Sequence, residues 1–83
     1  MMNEKEFAIR MFQEKWEKVL KDTKKEIRCE EVDFENDCYR VKFVSREGKI
    51  TIPNIPEEWV EEPDRLRSLI KRVEREIKKR RKS

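Results

Sequence analysis

Apolar residues recur along the first quarter of the chain with the spacing of an amphipathic helix. Ala8, Ile9, Phe12, Trp16, Val19, Leu20 and Thr23 fall on one side when each residue is turned by about 100°, so residues 3–25 are expected to be helical. Asn3 is placed to cap this helix, with Glu6 three residues later able to bond back, a weaker form of the capping box. Phe7 and Met11 lie outside the stripe, four apart, and are expected to touch each other on the far side of the helix. The period then changes to two. Ile27 to Glu30 alternates, Glu31 breaks phase, and Val32 to Phe34 alternates again, which is the signature of a bulged strand. Glu35-Asn36-Asp37 has turn chemistry. A second strand runs from Cys38 to Val44, with Tyr39, Val41 and Phe43 on one face. Ser45 to Gly48 reads as a tight hairpin turn with Gly48 in the left-handed position. The third strand is Lys49 to Ile52, closed by Pro53, which has no amide to give to a ladder.

Asn54-Ile55-Pro56 leads into a short helical turn, Glu57 to Glu61, bearing Trp59 and Val60. Pro63 suits a first helical position, and Asp64 suits the positive end of the helix dipole. Leu66, Leu69, Ile70, Val73 and Ile77 form one stripe. Arg67, Lys71, Arg72, Arg75, Lys78, Lys79 and Lys82 occupy the opposite side. Arg80 and Arg81 would fall on or beside the stripe, so the helix is expected to leave the core after Ile77. The expected fold is α+β: a two-layer α-β-β-β-α arrangement with a three-stranded antiparallel meander packed on two helices. One sheet face, with Tyr39, Val41, Phe43, Ile50 and Ile52, would pack on the helices. The other, with Arg40, Lys42, Lys49 and Thr51, would meet solvent or a partner. Residues 1–83 are expected to form a single domain, with a core over about 3–77 and a basic projecting segment at 78–83.

This order is the plan of the double-stranded-RNA-binding domain and of HicA-type mRNA-interferase toxins. Residues 38–72, from Tyr39 through "FVSREGKITIPNIP" to "DRLRSLIKR", resemble the HicA pattern of strand, glycine turn, proline-ended strand and leucine-rich helix. The resemblance implies a fold. The toxins resemble one another in a histidine on the second strand, and this chain has none; Arg40 or Val41 stands about there. The RNA-binding domains place a lysine cluster at the start of the last helix, where this chain has Pro63-Asp64. RNA cleavage is therefore not implied.

Charge changes the picture more than composition does. Residues 1–28 carry 8 cations and 6 anions, residues 29–63 carry 4 and 10, and residues 64–83 carry 10 and 3. An acidic middle is thus followed by a basic final helix, an asymmetry that marks either a nucleic-acid contact or two mutually attractive segments. No apolar run approaches the ~18 residues of a membrane span, and the start, MMNEKEFAIRMF, lacks the apolar segment of a signal peptide. A cytoplasmic protein without membrane contact is expected. Abundant lysine, arginine and glutamate with a single glutamine suit a hyperthermophile host, archaeal or viral.

Catalysis finds little support. Without histidine the usual base near neutral pH is missing. The adjacent acids Glu30-Glu31, Glu57-Glu58 and Glu61-Glu62 should point apart into solvent. Cys29 and Cys38 are too few for a tetrahedral zinc site. They form either a disulfide between the first two strands or two separate thiols, and the register implied by the turn sets Cys29 opposite Phe43 and Cys38 near Phe34. No enzyme, metal or cofactor is expected. Two functions compete. One is non-catalytic nucleic-acid binding through Lys71, Arg72, Arg75, Lys78, Lys79, Arg80, Arg81 and Lys82, sequence-independent and salt-sensitive. The other is a protein-interaction module, a viral or mobile-element regulator or inhibitor, or a homodimer. It would use Phe7, Met11 and Trp59, a sheet edge, or the acidic middle. Trp16, inside the apolar stripe, is expected in the core.

Overall fold

Asn3 opens the first helix as its spacing to Glu6 predicts: its Oδ1 accepts the Glu6 amide at 2.8 Å. In the computed structural model, which describes residues 3–81 with side chains to residue 80, helix α1 spans Glu4–Thr23. It stops short of residue 25 because Lys24 turns left-handed at φ 56°. The Thr23 hydroxyl, 3.1 Å from the Val19 carbonyl oxygen, donates back into the last turn.

Strands β1 (Arg28–Glu35), β2 (Cys38–Ser45) and β3 (Gly48–Pro56) follow, then a 3-10 turn (Glu57–Glu61) and helix α2 (Pro63–Arg81). The sheet is antiparallel in the order β1-β2-β3, so the α-β-β-β-α expectation holds. The phase slip at Glu31 is a bulge between Cys29 and Glu31. Glu35 pairs with Cys38, leaving Asn36 and Asp37 as a two-residue turn with φ of 52° and 60°. Positive φ at both positions matches the right-handed strand twist, and Asn and Asp tolerate it. Gly48 also has positive φ, but at 154° it is more extended than the left-handed well. A Cβ there would stand 3.4 Å from Ile77 Cγ2, so this turn abuts α2.

Pro53 does not end β3. The strand runs on to Pro56 through a second bulge: Val41 pairs with Ile52 and Tyr39 with Ile55, so one extra residue sits on β3. Asn54 takes up the bend at φ 58°. The proline is tolerated because it falls in the bulge of an edge strand, where it has no partner in the β2 ladder. The bulge also returns Ile55 to the core face, where it is buried.

Both helices cover one face of the sheet. Phe12, Trp16 and Val19 of α1 meet Tyr39, Val41, Phe43, Ile50 and Ile52, and the stripe Leu66, Leu69, Ile70, Val73 and Ile77 is buried throughout. The centre is aromatic: Trp16 lies 5.9 Å from Phe12 and 4.7 Å from Phe43, ring to ring, and Phe12 lies 4.9 Å from Tyr39. Trp16 Nε1 donates to the Ile27 carbonyl at 2.9 Å, and the Tyr39 hydroxyl to the Ala8 carbonyl at 2.9 Å. Among the described residues no buried polar side-chain atom lacks a partner.

Tyr39 is the chain's single tyrosine. Burial, with lesser contributions from Glu57 and Glu61, pushes its phenol up to about 12. The neutral phenol is favoured by the fold, so its stabilisation is complete below the unfolded value near 10 and is lost as pH rises toward about 12. Phenolate absorbance and loss of helical circular dichroism are therefore expected to rise together in that window. A phenolate signal near pH 10 from a fully folded chain would contradict this packing.

Candidate functional site

Helix α2 builds its solvent side from the same periodicity that buries its apolar stripe. Lys71, Arg72, Arg75, Lys78, Lys79 and Arg80 are all exposed. From Lys71 to Arg80 the helix rises about 14 Å, long enough to follow several phosphates. The helix continues past Ile77 to Arg81, with Lys78, Lys79 and Arg80 exposed, so the basic side is presented on a regular scaffold. The Arg81 side chain and Lys82 lie outside the described residues.

Ion pairing separates this face from the cations of the sheet and of the start of α2. On the open sheet face Lys42 and Lys49 reach Glu30 at 3.5 and 3.9 Å, and Arg40 reaches Asp33 at 3.9 Å. Lys5 holds Asp33 at 2.8 Å. That lysine's hydrogen bond, with the Phe34 amide, holds the Asp33 carboxyl below the usual carboxylate range. At the start of α2, Arg67 pairs with Asp64 at 2.9 Å and Arg65 with Glu62 at 3.3 Å. On the basic side, Lys79 sits 4.0 Å from Glu76. Lys71, Arg72, Arg75 and Lys78 have no anionic partner among the described residues. The sheet face thus neutralises itself, and the helix face does not.

A second surface lies at the opposite end of the sheet. The first turns of α1, the Asn36-Asp37 turn and the 3-10 turn enclose a groove of about 1010 Å³. Phe7, Met11, Phe34 and Val60 line it, with Glu4, Asp37, Glu57, Glu58 and Glu61 around them. Phe7 is 57% exposed. Met11 is not on the far side of α1 as its wheel position implies; it is half-buried against the core, because the hairpin end and the 3-10 turn wrap round that flank of the helix. Trp59 is separate from this pair: it is half-buried on the core, with the Arg65 guanidinium 5.9 Å from its ring centre. Spacing signalled Phe7 and Met11, but nothing local signalled Phe34 and Val60 as their neighbours. Glu57, Glu58 and Glu61 are exposed, as expected, and they gather on this groove.

Cys29 and Cys38 are both free thiols. Cys29 pairs with Phe43 and Cys38 with Glu35, at opposite ends of the β1-β2 ladder, so no disulfide joins them. Burial, with Glu17 adding, pushes the Cys29 thiol up to about 12. At pH ~8 a thiol with an unperturbed value near 8.5 reacts as thiolate, whereas Cys29 is expected to resist alkylation until the chain is unfolded. Mass spectrometry of the alkylated native chain checks this, and modification of Cys29 at the denatured rate would refute it.

Among the described residues no group of acidic or cysteine side chains is arranged to hold a metal ion, and no helix is long and apolar enough to cross a membrane. No family model, no curated protein and no solved structure matches the chain.

Proposed function

We propose that this chain is a small non-catalytic nucleic-acid-binding protein that contacts phosphates through the solvent side of α2. The observation that carries the reading is the row Lys71, Arg72, Arg75 and Lys78, exposed on one helix and without anionic partners among the described residues. Such side chains keep their charge available for phosphates and release counterions on contact. The acidic groove lies at the other end of the sheet, so the molecule's field would turn α2 toward a polyanion and the groove away from it. Helix-borne cations of this kind position a protein on the backbone and carry no sequence readout.

The test is fluorescence anisotropy with labelled single- and double-stranded DNA and RNA. Four phosphate contacts on a duplex imply a fall in affinity of roughly a hundredfold between about 50 and about 200 mM salt. A chain ended after Ile77 keeps Lys71, Arg72 and Arg75 and should bind more weakly, with a shallower salt slope. Absence of binding at about 50 mM salt would sink the reading.

A further inference from the structure

The groove between the start of α1, the Asn36-Asp37 turn and Val60 has no part in phosphate binding. Its apolar lining includes Phe7, the single large apolar side chain left exposed among the described residues. Its charged lining is Glu4, Asp37, Glu57, Glu58 and Glu61, with no cation, and none of these carboxylates has an ion-pair partner among the described residues. The negative potential reaches the base of the groove, because Glu57 and Glu61 both help to hold the Tyr39 phenol protonated. The walls are fixed in advance. The Glu57 amide donates to the Asp37 carbonyl at 3.1 Å, and the Tyr39 hydroxyl ties the hairpin to α1 at Ala8. A preformed apolar trough ringed by one sign of charge selects its occupant by both properties.

We infer that this groove docks a cationic peptide segment of another protein, one that sets an apolar anchor among Phe7, Met11, Phe34 and Val60 and its lysines or arginines against the surrounding carboxylates. A nucleic acid would be repelled by the same carboxylates. The basic segment 78–83 of a second copy supplies charge but no anchor, since Ile77 is buried and these six residues include no apolar side chain. Binding energy at an interface concentrates in a few side chains that become buried on contact, and Phe7 is the exposed aromatic that this groove offers for such burial.

The probe is a fluorescein-labelled short peptide alternating lysine and leucine, with a glutamate–leucine peptide and a lysine–serine peptide as controls, read by anisotropy against the full chain. The lysine–leucine peptide should bind at least about tenfold more tightly than either control. Phe7→Ser should weaken it by about tenfold or more, as should Glu57→Lys with Glu61→Lys. Lys18→Gln, on an exposed part of α1 away from the groove, should leave it unchanged. Amide shifts in an ¹⁵N spectrum should centre on the groove-lining residues. The inference is overturned if the lysine–leucine peptide does not bind, if the lysine–serine peptide binds equally well, or if binding ignores Phe7→Ser. Self-association at low salt that is lost in Phe7→Ser would assign the groove to a second copy instead, and would overturn it too.

Discussion

Changing Lys71, Arg75 and Lys78 together to glutamate is expected to abolish nucleic-acid binding at about 50 mM salt, with a loss well beyond ~100-fold. These residues stand one turn apart in succession on the exposed side of α2, so a phosphate chain laid along the helix meets all of them. Removing three contacts on a duplex flattens the salt slope by about 2.7, and the three new anions add repulsion. The fold should survive. All three side chains are exposed, and glutamate is nearly as good a helix former as lysine or arginine. Lys78 alone lies in the last turn of α2, where an anion costs roughly a few tenths of a kcal/mol. Circular dichroism separates the two effects: an unchanged spectrum with lost anisotropy assigns the loss to the surface. If the variant binds as tightly as the parent, α2 is a solubilising face and nothing more.

Trp16→Ala should be the most damaging single substitution for stability, costing about 3–5 kcal/mol. Trp16 is 1% exposed and stacks between Phe12 and Phe43. Its loss opens a cavity at the meeting point of α1 and the sheet and leaves the Ile27 carbonyl without its side-chain donor. A chain of 83 residues has a thin core, and small domains hold only about 5–15 kcal/mol in total. The midpoint of thermal unfolding should fall by well over ~10 °C. Trp16→Phe divides the cost. It keeps most of the ring and removes the donor, so about 1–3 kcal/mol is expected. Equal losses in the two variants would show that the Ile27 hydrogen bond, rather than packing, holds this corner.

Much of this architecture was readable in the one-dimensional pattern. Core-facing residues on α1 and α2 repeat with the helical period, and Tyr39, Val41 and Phe43 alternate, because one face of each element must leave water. The slip at Glu31 was legible for the same reason: a bulge shifts the alternation by one residue. Asn3, Pro63 and the Asn36-Asp37 turn followed from backbone chemistry that is local to a few residues.

Other features were decided between elements. Pro53 reads as a strand end, and it is the edge position of β3, together with Asn54 in a left-handed bend, that lets the strand continue. Cys29 and Cys38 are candidates for pairing by sequence, and the ladder register places them apart. Met11 lies off the stripe on a lone helix, yet the hairpin end and the 3-10 turn bring Phe34 and Val60 up to it and enclose the groove with Phe7. The basic stripe of α2 is a property of one helix, so the sequence by itself determined which cations lie along it. Which cations keep their charge uncompensated depended on what the fold sets beside them: Glu30 and Asp33 neutralise the sheet face, and no acid reaches Lys71, Arg72, Arg75 or Lys78 among the described residues. Periodicity fixes a side because it acts through the neighbouring turns of the same element, whereas ion pairing and groove formation join residues distant in the chain and exist only once the layers have packed.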